Sequence, residues 1–104
     1  MTTSQFTVLT EQLTQFFQTS KLQNKVQKVS VFGSTVRNTQ TSKSDIDFVI
    51  YFDPQAHITL FDMSRLKNEL SLFLHTPVDL ITENGIKPHL KNTILNSLVD
   101  VYQK

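Results

Sequence analysis

The chain has 104 residues, ten Lys+Arg against nine Asp+Glu, and no cysteine. That length predicts one domain over residues 1–104, burying about 65% of its surface and leaving little for lids or accessory lobes. The composition excludes a disulfide framework, a thiolate metal site and a cysteine nucleophile. A formal charge of +1 is too balanced for a protein held on phosphate backbones by bulk charge, so any phosphate chemistry must come from a local site. No apolar run approaches the ~18 residues of a membrane span, so no membrane association is expected. Met1 to Thr10 lacks a basic start and an apolar stretch, which makes the cytoplasm the expected location.

Phe6, Leu9, Leu13, Phe16 and Phe17 recur at helical spacing. They predict an amphipathic helix from about Thr3 to Thr19, capped by Thr2 or Thr3. Lys21, Lys25 and Lys28 follow and read as a solvated face. Val29 to Phe32 is a short β-type run ending at Gly33. Ser34 can cap a short helix over Thr35 to Thr39, and Thr41 to Ser44 is turn-like. Asp45 to Phe52 is strongly β-biased and is stopped by Asp53-Pro54. Thr59 opens a second long helix with Met63, Leu66, Leu70, Phe73 and Leu74 as its stripe. Pro77 to Thr82 reads as a third strand, and Asn84-Gly85 as a turn. Pro88 stands near the start of a last helix that buries Leu90, Ile94, Leu95 and Leu98. Val99 to Tyr102 has the character of a short terminal strand. The order α-β-α-β-α-β-α predicts an α/β fold with one small mixed sheet flanked by helices.

The chemistry concentrates in a few residues. Asp45 and Asp47 are two apart in a strand, so their carboxylates point to one face and can converge. At ~4 Å they would repel by about 4 kcal/mol at an effective dielectric of 20, unless a proton or a cation joins them. An open site of oxygen ligands suits Mg²⁺. Asp79 interrupts an otherwise apolar strand, where burial would be costly unless a metal satisfied it. An edge position facing water would serve equally well. Gly33-Ser34 stands at a strand end and a helix start, where backbone N–H groups favour an anion. Arg37, one turn on, can aim a fork of donors at that anion. His57, His75 and His89 are scattered and show no metal-ligand spacing.

Separately these are weak signals. Together, Gly33-Ser34 followed by ten residues and then Asp45-Ile46-Asp47 would arise by chance in roughly one such chain per thousand. For the turn and the carboxylates to meet one ligand, the end of the first strand must lie beside the start of the second. Those strands are therefore expected to be antiparallel.

The stretch from Gly33-Ser34-Thr35-Val36-Arg37 to Ser44-Asp45-Ile46-Asp47 resembles the signature of the DNA polymerase beta-like nucleotidyltransferase superfamily. The run Leu60-Phe61-Asp62-Met63, Leu66-Lys67 and Leu70 is similar to its minimal nucleotidyltransferase (MNT) branch. Val78-Asp79-Leu80 and Lys87-Pro88 are similar to it as well. The resemblance spans about Val8 to Tyr102. It implies a Mg²⁺-dependent transfer of AMP from ATP, with pyrophosphate leaving. It implies two Mg²⁺ ions held by Asp45, Asp47 and Asp79, with Asp79 also helping to deprotonate the acceptor. It implies that Gly33, Ser34 and Arg37 hold the β- and γ-phosphates. Stand-alone members are commonly antitoxins that attach AMP to a tyrosine of a HEPN-domain ribonuclease toxin, in a type VII-like toxin–antitoxin pair. A HEPN toxin is therefore the expected partner, and no nucleic-acid template is expected. Two departures stand out: Thr35 and Asn38 replace a common Arg and Gly. Neutralisation by occlusion without catalysis is the competing expectation, and transfer to a small molecule is a third. A chain this short has no room for a domain to hold a small acceptor, so the acceptor is expected on another protein.

Overall fold

The computed structural model describes residues 3–20, 22, 24–32, 46–86, 88–96 and 98–104. Helix α1, Thr3–Thr19, forms where the apolar spacing predicts it. Leu9, Leu13, Phe16 and Phe17 are buried, and Phe6 packs against them from a half-covered position. The predicted cap at Thr2 lies outside the described residues, and the side chain of Thr3 is likewise not described. A turn in which the Lys25 and Val26 N–H groups donate to the Leu22 carbonyl leads into strand β1, Val26–Val31. Strand β2 is Ile46–Phe52.

Helix α2, Leu60–Leu74, starts at Thr59. The Thr59 hydroxyl accepts from the Asp62 N–H at 3.2 Å, and the Asp62 carboxylate accepts from the Thr59 N–H at 2.9 Å. This reciprocal pair satisfies two backbone donors that a helix start otherwise leaves open. It also holds the Asp62 carboxyl below its ordinary value, chiefly through the Thr59 backbone N–H. The helix stops at His75, whose φ of 53° is left-handed, a conformation that His adopts more readily than most side chains. Leu66 and Leu70 form the buried stripe. Phe73, expected in that stripe, is instead 40% exposed and meets Phe16 edge-on at 5.5 Å.

Strand β3, Val78–Thr82, runs into a single 3₁₀ turn, Glu83–Gly85, where the turn was expected. Helix α3 is Pro88–Asn96. Of its predicted buried face, Ile94 and Leu98 are half-buried, and the side chains of Leu90 and Leu95 are not among those described. The chain closes on strand β4, Val99–Gln103. Among the described residues no helix is long and apolar enough to cross a membrane.

The four strands form one mixed sheet in the order β3-β2-β1-β4. Strands β1 and β2 are antiparallel, as the site argument requires, and so are β1 and β4. Strands β2 and β3 are parallel, joined through α2 in the usual crossover manner. The main core lies on one face of this sheet. Val29, Val31, Phe48, Ile50, Val78, Leu80 and Val101 meet the buried stripes of α1 and α2 there. Helix α1 packs on β4 and α2 on β3. Lys25 and Lys28, read as a solvated face, are both partly exposed, and Lys21 lies outside the described residues. Lys28 belongs to β1, where strand geometry turns it toward Asp100 and Tyr51.

Candidate active site at the shared end of the strands

The topology brings three strand ends together. The Phe32 N–H donates to the Asp47 carbonyl at 3.2 Å, fixing the end of β1 beside the start of β2. The Ile46 N–H donates to the Pro77 carbonyl at 3.0 Å, fixing the start of β3 on the other side. The chain thus leaves the sheet at Phe32 and re-enters it at Ile46, at the same end. Gly33, Ser34, Arg37 and Asp45, with Thr35, Asn38 and the predicted helix and turn among them, lie outside the described residues.

Asp47 and Asp79 are register partners on the parallel strands β2 and β3. Paired residues on neighbouring strands project to the same face, about 4.8 Å apart. Their neighbours Ile46, Phe48, Val78 and Leu80 alternate to the other face and are buried against the helices. The two carboxylates therefore share the face opposite the main core. Two charges ~5 Å apart repel by about 3 kcal/mol at an effective dielectric of 20, and by less in open water. A cation between them would remove that repulsion.

Of the two placements open to Asp79, the structure shows the edge position facing water. Strand β3 is an edge strand, and the Asp79 side chain is 54% exposed, so water already solvates the carboxylate. What singles out Asp79 is its register against Asp47. On its outer side, the Lys67 ammonium of α2 reaches round the sheet edge to within 3.9 Å of Asp79 Oδ1. Among the described residues no group of three or more His, Asp or Glu side chains could hold a metal ion.

Further along the same face lies a polar clip that sequence reasoning missed. Ser30 is fully buried and donates to Asp100 Oδ1 at 2.6 Å. The Lys28 ammonium lies 3.9 Å from the same oxygen and 4.4 Å above the centre of the Tyr51 ring. Burial raises the Tyr51 hydroxyl above its ordinary value, with Glu83 and Asp100 adding to the shift. The Tyr51 ring is half-buried in β2 and packs beneath the Lys28 ammonium. The clip joins residues 70 positions apart in the chain, and no local motif announces it. A largely apolar hollow of about 310 Å³ is lined by Val8, Leu9, Ile46 and Leu74 among others. It opens between helices, away from the Asp47–Asp79 face.

Residues 11–101 match the nucleotidyltransferase domain family. A Methanocaldococcus jannaschii protein whose name assigns it provisionally to the protein adenylyltransferases is 45% identical over 80 residues, covering 77% of this chain and 84% of the relative. The protein adenylyltransferase MntA of Thermococcus cleftensis is 30% identical over 76 residues, covering 73% of this chain and 75% of the relative. Several solved structures share the fold. One, described provisionally as a minimal nucleotidyltransferase, superposes with a TM-score of 0.66 at 29% identity, over 86% of this chain and 93% of its own. A toxin–antitoxin structure with AMP-PNP gives 0.71 at 20% identity, over 91% and 73%. A tri-AMPylated Shewanella oneidensis HEPN toxin in complex with its MNT antitoxin gives 0.65 at 16% identity, over 95% and 73%. The matched span takes in β1, β2 and β3 and the Asp47–Asp79 pair, so the chain belongs to the nucleotidyltransferase domain family.

Proposed function

We propose that this chain transfers AMP from ATP to a hydroxyl of a partner protein, a tyrosine of a HEPN-domain toxin, and so acts as an antitoxin. The observation that carries the reading is the in-register Asp47–Asp79 pair at the end of the sheet where β1 finishes and β2 begins. The names of the relatives and the AMPylated toxin bound to a similar fold support AMP as the group transferred and a HEPN protein as the acceptor.

In this reading Asp45, Asp47 and Asp79 form the carboxylate set. The described pair suits Mg²⁺ because its donors are hard oxygens, and the half-exposed Asp79 leaves room for waters and substrate phosphates. Two Mg²⁺ ions bound there would neutralise phosphate charge and favour an ionised acceptor oxygen. The carboxylates hold the reacting centre at a fixed place on a rigid sheet. Gly33, Ser34 and Arg37 grip the β- and γ-phosphates, which orients the α-phosphorus toward the acceptor. The acceptor oxygen forms a new bond to the α-phosphorus and its proton passes to a carboxylate oxygen. The bond between the α-phosphorus and the bridging oxygen breaks, and pyrophosphate leaves. A tyrosine hydroxyl, with an ordinary pKa of about 10, needs such help near neutral pH.

The test is incorporation of α-labelled ATP into a purified HEPN partner. The Asp45→Asn/Asp47→Asn double variant is expected to lose labelling by at least about 10²-fold, the scale on which removing groups that stabilise the transition state acts. Undiminished labelling overturns the mechanism. Labelling lost while the variant still neutralises the toxin in cells would replace catalysis with occlusion.

A further inference from the structure

We propose that Lys67 is a built-in counter-ion for the Asp47–Asp79 pair: it holds Asp79 before a divalent cation arrives and weakens the site for that cation until nucleotide is bound. The inference rests on the metal-binding reading of the pair given above. Its own observation is geometric. Lys67 sits on α2 beside the buried Leu66, in the helix layer, whereas Asp79 faces the other side of the sheet. Because β3 is the edge strand, the lysine side chain can pass round it and place its ammonium 3.9 Å from Asp79 Oδ1.

That contact does not contribute much to stability. Both side chains are about half exposed, 50% and 54%, and exposed pairs of this kind are worth little. Its effect falls on the charge of the site. In the metal-free protein one ammonium offsets part of the mutual repulsion of two carboxylates. A divalent cation that binds Asp79 meets that same positive charge a few ångströms away. A nucleotide triphosphate brings negative charge that both the cation and Lys67 can share. The cation is therefore held weakly alone and firmly with nucleotide, so the carboxylates are not permanently loaded.

The test measures Mn²⁺ binding to the full chain without nucleotide, by electron paramagnetic resonance of free Mn²⁺. Lys67→Met keeps the aliphatic stem and good helix propensity while removing the charge. From a unit and a double charge ~6 Å apart in a water-like dielectric, it is expected to bind Mn²⁺ about 3- to 10-fold more tightly. The gain shrinks as NaCl is added, since an exposed charge is screened. Lys67→Arg, which keeps the charge, is expected to bind like the parent. Equal or weaker binding by Lys67→Met overturns the inference. Asp79→Asn separates the two readings. If it loses Mn²⁺ while Lys67→Met matches the parent, the counter-ion role fails and the metal site stands. If Asp79→Asn binds Mn²⁺ as the parent does, both fail together. Unchanged thermal midpoints of the variants in the absence of metal confirm that each has folded.

Discussion

At the scale of single residues, this sheet has two chemically different faces, set by alternation along each strand. Ile46 and Phe48 are buried against the helices, while Asp47 between them joins Asp79 on the opposite face. A one-residue slip of β2 would bury the carboxylate and expose two large apolar side chains, so the pattern that builds the core also fixes the site. Tyr51, further along the Asp47 face, gives a pH signature. Its hydroxyl is held above its ordinary value of 10.0 by burial first, then by Glu83 and Asp100. A group whose folded pKa is raised contributes stability that is fully present below the unfolded value and is lost as pH rises through the folded one. Thermal midpoints taken from about pH 9 to about pH 11 should therefore fall more steeply for the parent than for Tyr51→Phe, which has no hydroxyl to ionise. Parallel curves would show that the phenol is not the group responsible.

At the scale of elements, α2 matters most to the site, because it is the crossover that makes β2 and β3 parallel and so sets Asp47 beside Asp79. Its start is encoded locally: Thr59 and Asp62 form the capping box. Thr59→Ala removes the side-chain half of that box and should lower unfolding stability by about 1 kcal/mol. Urea denaturation followed by circular dichroism would read this as a lower midpoint with an unchanged slope. The cap was legible in the sequence because it needs only residues three apart. The exposure of Phe73 was not. Helical spacing places Phe73 on the apolar side of the stripe, but Leu66 and Leu70 are the ones fully buried, and Phe73, partly exposed, lies against Phe16 of α1 instead. The Ser30–Asp100 hydrogen bond was equally hidden, since it depends on β4 returning to lie against β1.

At the scale of the whole molecule, the sheet end acts as a convergence point. The finish of β1 and the starts of β2, β3 and β4 all lie there. In the proposed mechanism that end holds metal and phosphates together, so metal and fold should be linked. Mg²⁺ with ATP is expected to raise the thermal midpoint of the parent, since a ligand that binds only the folded state stabilises it. EDTA should abolish both the shift and AMP transfer, and excess Mg²⁺ should restore them. A shift that survives in Asp47→Asn would place the bound metal elsewhere.

The sequence by itself determined the described helices and strands, the antiparallel pairing of β1 with β2 and which residues were candidates for the site. Those features rest on local periodicity, local capping and the demand that a Gly-Ser turn and an Asp-x-Asp strand start meet one ligand. Only the tertiary structure decided that β3 lies at the edge, parallel to β2 and in register through Asp47 and Asp79. It also decided that Asp79 is solvated rather than buried, and that Lys67 reaches it from the far layer. The physical reason is that strand order and register are set by how the helices cover one face, and no short stretch of sequence records which strand is left at the edge.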